Sequence, residues 1–194
     1  IGECVMASKI KVDTLETANG TGAITSNNPI TVTGALTATT LVGDGSALTG
    51  VSGPAFYAMP PTGDNSFSAS TTVKVPFSVE IFDTDSCYDP ATYRFTPNKA
   101  GYYYMAMSLD IRGSGTASAS MNILLNGTYV AGDKAATGNQ PATSPVWINI
   151  SALIYFNGTT DYAEGYVYSS MTSPVIEETS DGDCFFTGCF LRGA

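Results

Sequence analysis

Every aromatic residue of the chain (11 Tyr, 9 Phe and 1 Trp) lies at or after Phe56, and none lies in residues 1–55. Aromatic side chains supply much of the area that a compact core buries. Residues 1–55 are therefore not expected to form a globular domain, whereas the rest of the 194-residue chain is long enough for one. The aromatic-free part does not read as a charged disordered tail either. ITVTGALTATTLVGDGSALTG, residues 30–50, alternates β-branched with small residues and breaks at Gly43-Asp44-Gly45 and Thr49-Gly50. Ala-Leu-Thr recurs at 35–37 and 47–49. Short β pieces of this kind suit a shaft, residues 30–54, in which three chains wrap together behind an attachment segment, residues 1–29. A flexible Thr/Gly linker is the other reading. Residues 1–5, IGECV, precede MASKIKV, which reads as a natural start at Met6.

From Phe56 onward, apolar alternation and turn signals recur at short intervals. Val73–Phe82 alternates, Pro97–Gly101 is a turn, and Asn126-Gly127 stands between two apolar runs, a strong hairpin signal. Asn157-Gly158 marks another turn, and CFFTGCFLRG closes the pattern. Many short strands without a helical period predict an all-β sandwich or jelly roll over residues 55–194. Of four Asn-x-Ser/Thr sequons, those at Asn19, Asn126 and Asn157 read as Asn-Gly turns, and the fourth is at Asn149.

Within this pattern Gly101–Leu109 is unusual. Successive side chains of a strand point to opposite faces, so Tyr103, Met105, Met107 and Leu109 share one face. Tyr102, Tyr104, Ala106 and Ser108 share the other. Aromatic residues on both faces fit a central strand under a loop. They also fit a strand with its own core on one side and a neighbouring subunit on the other.

Composition narrows the chemistry. A net charge of −9 argues against nucleic acid or an anionic membrane as a partner held by charge. The chain has no histidine, which removes Ser-His and Cys-His catalysis and ordinary zinc sites. No apolar run approaches the roughly 18 residues of a membrane span. Acidic loops are plentiful, but no motif pairs two carboxylates at glycosidase spacing. The expectation is a protein without enzymatic activity and without membrane insertion.

Phe77, Asp83, Tyr88, Phe95, Gly101 and Tyr103 fall on the spacing of the complement C1q globular-head signature, related to the tumour necrosis factor fold. Residues 55–194 therefore resemble that family. Met105 and Met107 stand where the signature has aromatics, and Phe186-Thr187-Gly188 resembles its final strand. The resemblance implies a ten-strand jelly roll that assembles as a homotrimer. It implies a core holding Phe77, Tyr88, Phe95, Tyr103 and Phe186, turns at Gly101 and Gly188, and Tyr102 and Tyr104 at the trimer interface. MASKIKVDTLETANG and LVGDGSALTGV resemble tail-fibre and other fibrous virion proteins of tailed bacteriophages, particularly those of marine cyanobacteria. Together these imply an external virion fibre, held to other virion proteins through its N-terminus. Its knob would bind a host-surface glycan or outer-membrane protein. A capsid-decorating or vertex protein with no receptor, and a secreted complement-type module, are the alternatives.

In a jelly roll of this family the strand before Cys87 and the strand after Cys184 are antiparallel neighbours. The resemblance thus implies a Cys87–Cys184 disulfide, with two free thiols as the alternative in a reducing cytosol. Cys184 and Cys189 point to opposite faces of one strand and cannot pair with each other. Cys189 reads as buried and inert, and Cys4 has no assignment. Asp83, Asp85, Asp181 and Asp183, with Glu177 and Glu178 nearby, flank the same strand ends. Clustered loop carboxylates suit calcium, which takes oxygen ligands and which some family members bind. Solvated turn residues are the other reading. Calcium is the one cofactor expected, if any.

Overall fold

Alternating burial, with no helix, organises the part of the computed structural model that can be described. This covers residues 31–34, 37, 53–140, 145–179 and 182–193, leaving aside the side chains of 116–117 and 133–140. The attachment segment, most of the expected shaft, Cys4 and Asp181 lie outside the described residues. The chain divides into two units, Ile1–Ala47 and Leu48–Ala194, and all the described strands belong to the second.

The first six strands are β1 (Ala55–Met59), β2 (Gly63–Ser66), β3 (Val73–Lys74), β4 (Val79–Asp83), β5 (Tyr88–Asp89) and β6 (Arg94–Phe95). The others are β7 (Gly101–Leu125), β8 (Thr128–Gln140), β9 (Val146–Phe156), β10 (Ala163–Ser169), β11 (Thr172–Glu178) and β12 (Phe185–Arg192). They form two antiparallel sheets. The first runs β4-β1-β12-β7-β9, with β11 and then β2 added beside β7 where β12 ends. The second runs β8-β7-β10, with β3 and β6 both on the far edge of β10 and β5 beyond β6.

The 25-residue β7 belongs to both sheets. Its first half pairs with β12 and β9, its second half with β8 and β10. The changeover falls at Gly113–Gly115. Gly115 has φ +95°, a conformation that L side chains avoid, and a Cβ at Gly113 would come within 2.8 Å of Met171.

The core between the sheets follows the period of two. Tyr103, Met105, Met107, Leu109 and Ile111 are buried from the first half of β7, and Ala119, Met121 and Ile123 from the second. Phe56 is at the centre of an aromatic cluster. Its ring stacks on Tyr88 at 4.7 Å and on Phe95 at 4.4 Å, and meets Phe186 edge-on at 5.1 Å. Phe77 stacks on Phe186 at 5.5 Å, so the five expected core residues are all buried around Phe56.

Four local features differ from the sequence reading or sharpen it. Val73–Phe82 is not one strand: β3 joins β10 in the second sheet, and β4 joins β1 in the first. The segment between them carries Pro76, which has no N–H for a ladder, while Val75 and Phe77 anchor the crossing in the core. Gly188 is not in a turn but in the middle of β12, opposite Met105 and Phe56. A Cβ there would lie 3.0 Å from the Phe56 ring, so the glycine makes room for the aromatic cluster. Gly101, expected in a turn, opens β7 after a bend at Asn98-Lys99. The Asn126-Gly127 hairpin has φ of 51° and 78°, the pair of positive values that a type I′ turn requires.

The short edge strands of the second sheet are held by charge. Glu164 of β10 is buried, and its Oε1 accepts from Lys74 Nζ of β3 at 2.5 Å and from Arg94 Nε of β6 at 2.7 Å. The Arg94 guanidinium also lies 4.1 Å over the Tyr162 ring. Burial alone would raise the Glu164 pKa, but the two cationic donors outweigh it and hold the carboxyl below its ordinary value of 4.5. A depressed carboxyl pKa gives stability that is complete above the unfolded value and is lost as pH falls through the folded one. Glu164→Gln is therefore expected to flatten the acid limb of the stability curve. In urea unfolding from pH 7 to pH 3, wild type should lose its advantage over the variant below about pH 4.5. Parallel curves across that range would show that the pair carries no linkage.

Candidate interaction face

The outward side of the first sheet is apolar where a solvated sheet would be polar. On β7 and β9 the cross-strand pairs are Tyr102–Tyr155, Tyr104–Leu153, Ala106–Ser151, Ser108–Asn149 and Asp110–Trp147. The Tyr102 and Tyr155 rings meet edge-on at 5.5 Å, and the Arg192 guanidinium lies 5.6 Å over Tyr102. Tyr102 (41%), Tyr104 (42%), Trp147 (46%), Leu153 (68%) and Tyr155 (43%) are all exposed in the single chain. Across the same face Tyr57 of β1 stacks between Phe82 at 6.2 Å and Phe185 at 5.4 Å. A small hollow of about 220 Å³ between these groups is lined by Tyr104, Ala106, Asn149, Ser151 and Phe185. Contiguous exposed apolar surface rimmed by polar groups marks a place where another surface packs.

One end of this face is ionic. Asp110 is buried, and its Oδ2 accepts from Arg112 Nη2 at 2.9 Å and from Nε at 3.2 Å. Arg112 Nη1 pairs with Glu177 of β11, so one guanidinium serves two carboxylates. Asp110 Oδ1 has no partner among the described residues. This cluster is absent from the sequence reading because Asp110 and Glu177 meet only through the β7–β11 pairing.

Of the expected Asp pairs, Asp83 and Asp85 do not come together with Asp183, the one member of the second pair that is described. Phe56 of β1 pairs with Asp83 on one side and Gly188 on the other, so β1 lies between β4 and β12. Strands on either side of an antiparallel neighbour run parallel to each other. Asp83 therefore lies level with Gly188, roughly 16 Å of strand from Asp183 at about 3.3 Å per residue. The Asp83 carboxylate caps its own turn, accepting from Tyr88 N at 2.7 Å and from Asp85 N at 3.3 Å. Among the described residues no group of three or more His, Cys, Asp or Glu is placed to hold a metal ion. Asp83, Asp85 and Asp183 thus do not form the calcium site that the sequence suggested.

The same geometry removes the Cys87–Cys184 disulfide, and both residues are free thiols. Cys87 lies close to Tyr103, whose phenol is pushed up to about 12 by burial with Cys87 and Asp85 nearby. Cys184 lies beside Asp110, near the other end of that half of β7. Its Sγ accepts from Asp110 N at 3.1 Å and donates to Glu177 O at 3.1 Å. Burial pushes the Cys184 thiol up to about 12, so it is protonated and inert at neutral pH. Cys189 is half-buried in β12 opposite Tyr104.

No protein-family model and no curated protein matches the chain. Solved structures do. The chain is similar to the globular domain of zebrafish complement 1qA protein, with a TM-score of 0.53 and 12% identity, over 73% of this chain and 99% of that one. It is similar to Eiger TNF from S. frugiperda, with a TM-score of 0.53 and 11% identity, over 74% and 95% of the two chains. Murine APRIL gives a TM-score of 0.54 and 8% identity, over 72% and 99%. At such identities the likeness is one of fold, and the fold is an all-β C1q/TNF-like jelly roll of two antiparallel sheets.

Removing the shared cation tests the ionic end of the face. Arg112→Ala leaves Asp110 buried without its donor and is expected to cost about 3 kcal/mol in urea unfolding. Asp110→Asn in the same chain should restore most of that loss. An Arg112→Ala chain as stable as wild type would show that the two carboxylates need no partner.

Proposed function

We propose that the chain is a non-enzymatic virion fibre protein that assembles as a homotrimer and binds a host-surface receptor through residues 55–194. The observation that carries this reading is the exposed aromatic face of the first sheet. Three copies packed through Tyr102, Tyr104, Leu153 and Tyr155 would remove that face from water, at about 25 cal/mol for each Å² of apolar area. The C1q/TNF-like fold, which the sequence resemblance links to trimers, supports the same assembly. The aromatic-free residues 1–55 supply the attachment end and shaft. Three copies of one knob on a common stem add weak contacts into firm adhesion. The absence of histidine and the engagement of Glu164, Asp110 and Asp83 in structural pairs support a role without catalysis. No cofactor is required.

The assembly is tested by light scattering on the purified chain at micromolar concentration, where the mass of three copies is expected. Tyr104 is exposed in the single chain, so Tyr104→Asp should leave the fold intact while lowering the mass toward one copy. A wild-type monomer overturns the assembly. The function is tested by adding purified chain to cyanobacterial host cells and measuring adhesion and competition with infection. Saturable binding that blocks adsorption is the expected result. No binding to a permissive host, with infection unchanged, would leave a capsid-decorating role instead.

A further inference from the structure

The outward side of the second sheet carries a groove of different chemistry. Its floor is Ser118, Ser120 and Asn122, the alternate residues of β7 whose neighbours Ala119, Met121 and Ile123 fill the core. Tyr168 of β10 pairs with Ser120 and forms one wall, and Tyr129 of β8, 60% exposed, forms the other. Thr72 closes one end. Gly132 is opposite Asn122 on β8, and a Cβ there would strike the Asn122 side chain, so the glycine keeps the floor open. The groove holds about 510 Å³, within the range of small-molecule sites.

We propose that this groove is a binding site for a neutral saccharide. Each described lining side chain is a hydroxyl, an amide or a phenol, and none of these is charged. Ser120 is only 8% exposed, and no side-chain hydrogen bond engages its hydroxyl among the described residues. A groove-facing hydroxyl without a protein partner is free to bond a ligand hydroxyl. Hydroxyls and amides both donate and accept, as sugar hydroxyls do. The two tyrosine walls offer flat apolar faces, with polar tips, to the C–H faces of a pyranose ring.

Other ligand classes fit less well. None of the described residues that line the groove is basic, and a chain of net charge −9 repels anions. A peptide binding by strand addition needs a free sheet edge, but β7 is paired on both sides beneath the groove, to β8 and to β10. The assignment deepens the attachment reading and rests on it only for where the saccharide comes from, the host surface.

The test uses the full chain on an immobilised array of neutral hexose and N-acetylhexosamine oligosaccharides, with sialylated and sulfated ones alongside. The best neutral oligosaccharide is then titrated calorimetrically. Wild type is expected to bind neutral members and not the anionic ones. Tyr129→Ala and Asn122→Ala should each weaken binding at least tenfold, with unchanged circular dichroism and unchanged mass by light scattering. Saccharide binding that survives both substitutions overturns the groove assignment. So does a wild-type chain that adheres to cyanobacterial cells but to no neutral saccharide, an outcome that leaves the attachment reading standing. Neutral saccharide binding lost in both variants, by a chain that adheres to no host cell, keeps the groove and overturns attachment instead.

Discussion

The continuity of β7 is the constraint on which the rest of the described structure depends. One 25-residue strand pairs with β9, β11 and β12 in one sheet and with β8 and β10 in the other. Its inward residues from Tyr103 to Ile123 supply the middle of the core on both sides of the bend. The strand can change sheets only because Gly113 and Gly115 let the backbone turn where a side chain would strike Met171 or force a strained φ. A strand shared in this way couples the two sheets, so a register slip in one would misplace the core residues of the other.

The same strand also supplies both candidate surfaces. Its outward residues in the first sheet, Tyr102 to Asp110, form the aromatic face with its ionic end. Its outward residues in the second sheet, Ser118 to Asn122, form the floor of the polar groove. The two surfaces lie on opposite outer sides of the sandwich. In the trimer we propose, covering the first leaves the second turned outward in each copy. That arrangement suits a knob that assembles on one side and binds on the other.

Charge has a structural role at two places in this acidic molecule. Glu164 holds β3 and β6 to β10 through Lys74 and Arg94. Arg112 holds β7 to β11 by serving Asp110 and Glu177 together. Each joins a short or peripheral strand to the main ladders, where few backbone hydrogen bonds are available to do so. Cationic residues are scarce in the chain, Lys+Arg 8 against Asp+Glu 17, and three of them are used in these two clusters.

Much of the architecture was legible in the sequence because it depends on neighbours along the chain. The period of two placed Tyr103, Met105 and Met107 inward and Tyr102 and Tyr104 outward, and Asn126-Gly127 specified its hairpin through the φ values those residues tolerate. The spacing of aromatics around Gly101 carried the likeness to the C1q head, and with it the fold. What the sequence could not decide is which distant strands become neighbours. The Cys87–Cys184 pairing and the four-aspartate site both assumed that β4 lies against β12, but β1 lies between them and reverses the direction. Gly188 read as a turn residue, yet it is a strand residue that makes room for Phe56, more than a hundred positions away. The Arg112 cluster and the Ser120 groove likewise join residues from strands far apart in the chain. Side-chain alternation and turn conformation are set by local sterics that a short stretch of residues encodes. Strand order and the chemistry of an assembled surface are set by long-range packing, which only the tertiary structure decides.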